Sequence, residues 1–127
     1  MKRDMELIRK IIAESESDND TKTRMLSIDG YDDNVVARHV ESLIKAGYVV
    51  GNVHHGAMGT ELAAFVSELT AEGQDFAAAL QNEGIWSRLN ESLSPIELAT
   101  VPLTMIKEIC MGLLKTHLMQ KTGLSAH

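Results

Sequence analysis

Apolar residues recur at helical spacing from the start of the chain. Met5, Ile8, Ile11 and Ile12 share one face, while Arg3, Arg9 and Lys10 lie on others. Asp4 stands where a helix cap is needed. The pattern stops in Glu14-Ser15-Glu16-Ser17-Asp18-Asn19-Asp20, which has no apolar residue. That run reads as a solvated loop, with an acidic contact surface as the alternative. Arg24-Met25-Leu26-Ser27-Ile28 fits a short strand stopped by Asp29-Gly30. Asp32-Asp33-Asn34 then opens a second helix, where acidic residues complement the helix dipole. Its buried stripe is Val36, Val40, Leu43 and Ile44, and Ala46-Gly47 ends it with a left-handed cap.

Tyr48-Val49-Val50-Gly51-Asn52-Val53 follows at once and reads as a strand. His54 to Thr60 form a turn-rich tip, and Leu62 to Leu69 return as the second strand of a hairpin. Thr70 caps a third helix carrying Phe76, Ala77 and Leu80, and the pattern predicts a bend or break at Gly84. The chain restarts at Ser94-Pro95 or Val101-Pro102, and a last helix runs from Leu103 to Leu118. The expected fold is mainly α with a small β-hairpin, an α+β winged helix-turn-helix with a C-terminal helical extension. Residues 1–83 are the expected winged-helix domain, 84–120 the C-terminal helices that dimerise, and 121–127 a flexible tail. The helix that normally precedes a recognition helix is hard to find, and residues 17–30 would have to hold a shortened version of it.

Four blocks carry a family resemblance. They are Met1-Lys2-Arg3-Asp4-Met5-Glu6-Leu7-Ile8-Arg9-Lys10-Ile11; Gly30-Tyr31 with His39 through Tyr48; Leu69-Thr70-Ala71-Glu72-Gly73-Gln74-Asp75-Phe76; and Ile85-Trp86. In this order the chain resembles the domain-of-unknown-function family twenty-five-thirteen, a group of small bacterial and phage proteins. The resemblance implies a winged-helix fold in a mobile-element or prophage setting. It brings no established activity and no catalytic residues. The uncharged wing and the apolar C-terminal helix depart from it.

Composition narrows the function. The chain has 127 residues, 44% of them hydrophobic, 24% charged and 4% aromatic, which suits one domain with an aliphatic core. No apolar run is long enough to cross a membrane. The N-terminus reads as neither a signal peptide nor a lipidation site. The one cysteine, Cys110, fits a reducing cytoplasm. It sits on an apolar helical stripe and reads as a buried, inert thiol. The histidines form no metal-ligand spacing, no phosphate-cradling glycine motif occurs, and neither an enzyme nor a cofactor is expected.

A net charge of −6 means that any contact with nucleic acid must come from a local patch. The second helix in the recognition position offers Asn34, Arg38, His39, Ser42 and Lys45. Arg38 and Asn34 suit guanine and adenine edges, and Lys45 suits a phosphate. Lys22 and Arg24 add candidate phosphate contacts, and the wing adds His54 and His55. Asp32, Asp33 and Glu41 oppose this reading. Residues 61–94 carry six acids against one base, so the alternative is an acidic module that binds a host or phage protein. In the last helix, Ile106, Ile109, Leu113, Leu114 and Leu118 belong to an apolar surface wider than one packed face requires. A homodimer is expected there, the alternative being a helix folded back on the core.

Overall fold

A computed structural model describes residues 2–16, 22–59 and 61–124. The elements are α1 (Met5–Glu16), β1 (Arg24–Leu26), α2 (Asp33–Lys45), β2 (Val49–His55), β3 (Leu62–Leu69), α3 (Ala71–Leu80), α4 (Glu83–Ser92), α5 (Pro95–Thr100) and α6 (Leu103–Thr122). The architecture is α+β: helices packed on a three-stranded antiparallel sheet of order β1-β3-β2.

Local chemistry sets the boundaries. The Asp4 carboxylate accepts the backbone N–H groups of Glu6 and Leu7 and caps α1. Asp32 caps α2 through the N–H of Asn34, at 2.8 Å. Gly47 ends α2 at φ +83°, a conformation that a side chain would strain. The break after α3 falls at Gln81-Asn82 rather than at Gly84. The Asn82 side chain accepts the Ile85 N–H and starts a new helix, leaving Gly84 inside its first turn. Both expected restart points operate. Ser94 and Glu97 form a reciprocal capping box with Pro95 in the first turn, and Pro102 precedes α6. Between residues 22 and 32 the chain forms β1 and a turn at Asp29-Gly30, not a helix. The rest of the 17–30 segment, residues 17–21, lies outside the described residues.

The hairpin and α3 are joined by a close backbone approach. The Thr70 N–H donates to the Tyr48 carbonyl at 3.0 Å. The Thr70 hydroxyl donates to the Gly47 carbonyl and also accepts the Gly73 N–H, capping α3. Gly73 lies so near the Tyr48 carbonyl that a Cβ there would overlap it. Phe76, one turn on, meets the Tyr48 ring edge-on at 5.3 Å between centroids. The same steric limit holds at Gly51, beside the Phe65 carbonyl, where the β2–β3 register shifts.

One core results. Leu7, Ile8, Ile11 and Ile12 of α1 meet Val36, Val40 and Leu43 of α2, Ala64 and Val66 of β3, and Phe76 and Leu80 of α3. It continues through Ile85 and Leu89 of α4 into Leu103, Ile106 and Cys110 of α6. The first half of α6 therefore lies on α3 and α4, and Ile106 belongs to the chain's own core rather than to a dimer interface. Ile109, Leu113 and Leu114 are half-buried against the same core, and Leu118 is exposed. The helix runs through Thr122, past the expected start of the tail at residue 121.

Two glycine substitutions should separate packing from helix propensity. Gly73→Ala should destabilise the fold by about 2–3 kcal/mol through overlap with Tyr48. Gly112→Ala, where a Cβ meets nothing within 4 Å, should stabilise α6 by up to about 1 kcal/mol. Urea denaturation of both variants checks the opposite signs.

Candidate nucleic-acid interface

Packing of α2 divides its residues into two sets. Val36, Ala37, Val40 and Leu43 face the core. His39 joins them, only 1% exposed, which corrects the expectation that it lies on the outer face. The Asp4 N–H donates to its Nε2 at 2.9 Å, and its Nδ1 lies 2.8 Å from the Val35 carbonyl. Nε2 therefore accepts and Nδ1 carries the proton, which selects one neutral tautomer. This side chain ties the cap of α1 to the middle of α2 and has no capacity left for a ligand. The signal was in the sequence: His39 lies three residues after Val36 and four before Leu43, on the apolar stripe.

Asn34 is also committed. Its side-chain oxygen accepts the Leu62 N–H at 2.7 Å, which fastens the first turn of α2 to the start of β3. The outward stripe is Val35, Arg38, Ser42 and Lys45, at steps of three and four residues. Arg38 and Lys45 are exposed and Ser42 is half-buried. The Ser42 hydroxyl donates to the Arg38 carbonyl at 3.3 Å. Lys45 reaches Glu41 at 3.4 Å in an exposed pair worth only about 0.3–0.5 kcal/mol. That carboxylate sits between the two cations and interrupts their surface.

Arg24 belongs to a different neighbourhood. Its guanidinium donates to the Glu14 carbonyl near the end of α1 at 3.0 Å and to the Ser67 carbonyl of β3 at 3.4 Å. His54 and His55 are exposed at the end of β2, opposite Ala63 and Leu62. The His54 ring tilts against Phe65 at 4.7 Å between centroids. Between this end of the hairpin and the first turn of α2 lies an open groove of about 580 Å³. Its walls include Met25, Asn34, His54, His55 and Phe65. Asp32, Asp33 and Glu61 also border it, so its charge is carboxylate. The structure thus brings Asn34 together with the two histidines, and Arg38 with Ser42 and Lys45, but holds Arg24 on the ends of α1 and β3.

Two arginines that sequence reasoning left unassigned do structural work. Arg9 donates to the Leu80 carbonyl at 2.8 Å, pairs with Glu83 at 3.1 Å and lies 4.9 Å from the Trp86 ring centroid. Arg3 donates to the carbonyls of Leu98 and Val101 at the end of α5. Each closes a helix C-terminus, which a cation suits. Cys110 is buried, and desolvation raises its thiol pKa to about 11. Among the described residues no group of three or more His, Cys, Asp or Glu could hold a metal ion, and no helix is long and apolar enough to cross a membrane. The six acids of residues 61–94 are all exposed, spread over α3, α4 and the hairpin.

A family model described as "Hypothetical protein (DUF2513)" matches residues 2–95, so the chain belongs to that family. No curated protein and no solved structure matches it. All of α6 lies beyond the matched region.

His39→Ala should leave the Asp4 N–H without its partner and open a cavity between α1 and α2. The expected loss is about 2–4 kcal/mol, read as a lower urea midpoint. Cys110 should resist alkylation in the native protein and react only as fast as the chain opens, which a thiol-labelling time course with and without urea checks.

Proposed function

We propose that this member of the DUF2513 family is a non-enzymatic winged-helix protein that binds double-stranded DNA, a cytoplasmic regulator of phage or prophage type. In this reading α2 is the recognition helix and the β2–β3 hairpin is the wing. The observation that carries it is the arrangement around α2. The helix runs directly into the hairpin through Gly47, the sheet has the order β1-β3-β2, and α2 turns Arg38, Ser42 and Lys45 away from the core. Arg38 supplies a guanidinium for a base edge or phosphate, and Lys45 a phosphate contact. His54 and His55 sit on the wing, within the same end of the molecule as the first turn of α2.

A second reading has its own observation. Asp32, Asp33 and Glu61 gather at the groove beside the first turn of α2, where a recognition helix would approach the negatively charged DNA backbone. A protein partner with a basic segment suits that surface better than a phosphate does.

Fluorescence-detected binding to a random duplex pool, from roughly 50 to 200 mM salt, tests both. DNA binding by α2 predicts affinity that falls steeply with salt, about tenfold weaker binding for Arg38→Ala, and severalfold tighter binding for Asp33→Asn. Failure of the folded protein to bind at the lowest salt rejects the DNA reading and leaves the acidic groove as the surface on which to seek a partner.

A further inference from the structure

We propose that the outer side of α6 pairs with α6 of a second copy of this chain, running antiparallel. The helix has 20 residues and is therefore about 30 Å long. Only Leu103, Ile106 and Cys110, all in its first half, are fully buried. Turned sideways from that buried line is a seam of Met111, Leu114 and Leu118, with Leu118 47% exposed. Gly123 at φ +76° ends the helix, and Leu124 borders the far end of the same apolar groove. The seam lies beyond the part of the chain that the family model matches.

Charge selects the occupant and its direction. From Ile109 to Leu124 there is no acidic residue, while Lys115 and Lys121 are exposed. Glu108 and Lys115, seven residues apart, share one flank of the seam, and a parallel pair would turn these flanks to opposite sides so that the two charges could not meet. An antiparallel pair with Met111 against Leu114 of the second copy avoids this. It brings the exposed Glu108, on the flank of the seam, beside Lys115 of the second copy, and two-fold symmetry makes that ion pair twice. The seam is thus self-complementary in one orientation only. Three side chains, two of them already half-buried on their own chain, cover less than the ~800 Å² per partner of a standard interface, so the dimer should dissociate on dilution.

Sedimentation equilibrium of the full chain tests this up to a concentration on the order of 100 µM. The expected result is a monomer–dimer equilibrium that Leu118→Glu weakens more than tenfold, with its circular dichroism unchanged because Leu118 is outside the core. Glu108→Lys and Lys115→Glu should each weaken the dimer about tenfold, and the double reversal should restore it. A wild-type monomer throughout, or a dimer indifferent to Leu118→Glu, overturns the proposal. So does a double reversal no better than its singles, because the antiparallel register requires those two charges to meet. None of these outcomes depends on whether the chain binds DNA.

Discussion

The close approach of two backbones, at Tyr48 and Gly73, governs most of this fold. A helix, a hairpin and another helix meet there within a few residues. Gly47 supplies the left-handed turn that releases α2 into β2, and Thr70 joins the returning strand to that turn while capping α3. The Tyr48 carbonyl takes the Thr70 N–H, and the absence of a side chain at residue 73 lets α3 settle directly on it. Phe76 then reaches the Tyr48 ring and the centre of the core. The polar groups stay satisfied because the helix cap and the strand end supply donors and acceptors to each other.

A second set of contacts brings the N-terminal helix onto this unit. His39 accepts from the backbone of Asp4, and Lys10 lies over the Tyr31 ring. The Tyr31 hydroxyl pKa is raised, first by desolvation and then by the charges of Asp4 and Glu6 and a hydrogen bond to Asp4. Arg9 joins α1 to the end of α3 and to Trp86. The blocks on which the family resemblance rests therefore touch one another: residues 3–10 meet Tyr31, His39 and Trp86, and Tyr48 meets Gly73 and Phe76. They describe a framework, and of the outward residues of α2 the blocks include Ser42 and Lys45 but not Arg38.

That framework limits the outer surface. Holding α1 uses His39, and holding the hairpin uses Asn34, so two of the five candidates on α2 serve the fold. Arg38, Ser42 and Lys45 remain on the outward stripe, with Glu41 between the cations. Acidic caps make α2 a stable helix, since carboxylates at its start complement its dipole. The same carboxylates border the groove beside the β2–β3 hairpin, where in the proposed DNA reading they would oppose a phosphate backbone. Under that proposal, helix stability and DNA affinity place contrary demands on Asp32 and Asp33.

Local pattern was enough to read the element order, the hairpin, the opening of α2 within Asp32-Asp33-Asn34, and the caps at Asp4, Gly47 and Thr70, because each depends on a residue's own backbone preference or on neighbours three or four positions away. It also placed Cys110 on a buried stripe, where the structure holds it. Spacing put His39 on the apolar stripe, but a histidine there stays buried only when a distant donor, here the Asp4 N–H, satisfies it, and that donor is not legible in the sequence. It did not place the break at Asn82, where a side-chain cap outweighed the flexibility of Gly84. The fate of α6 was least legible: its apolar residues surround much of the helix, and only docking on α3 and α4 decided that Ile106 is core while Leu118 is surface. Spacing along the chain determines which face a residue shares, but which face is covered depends on elements far away in sequence.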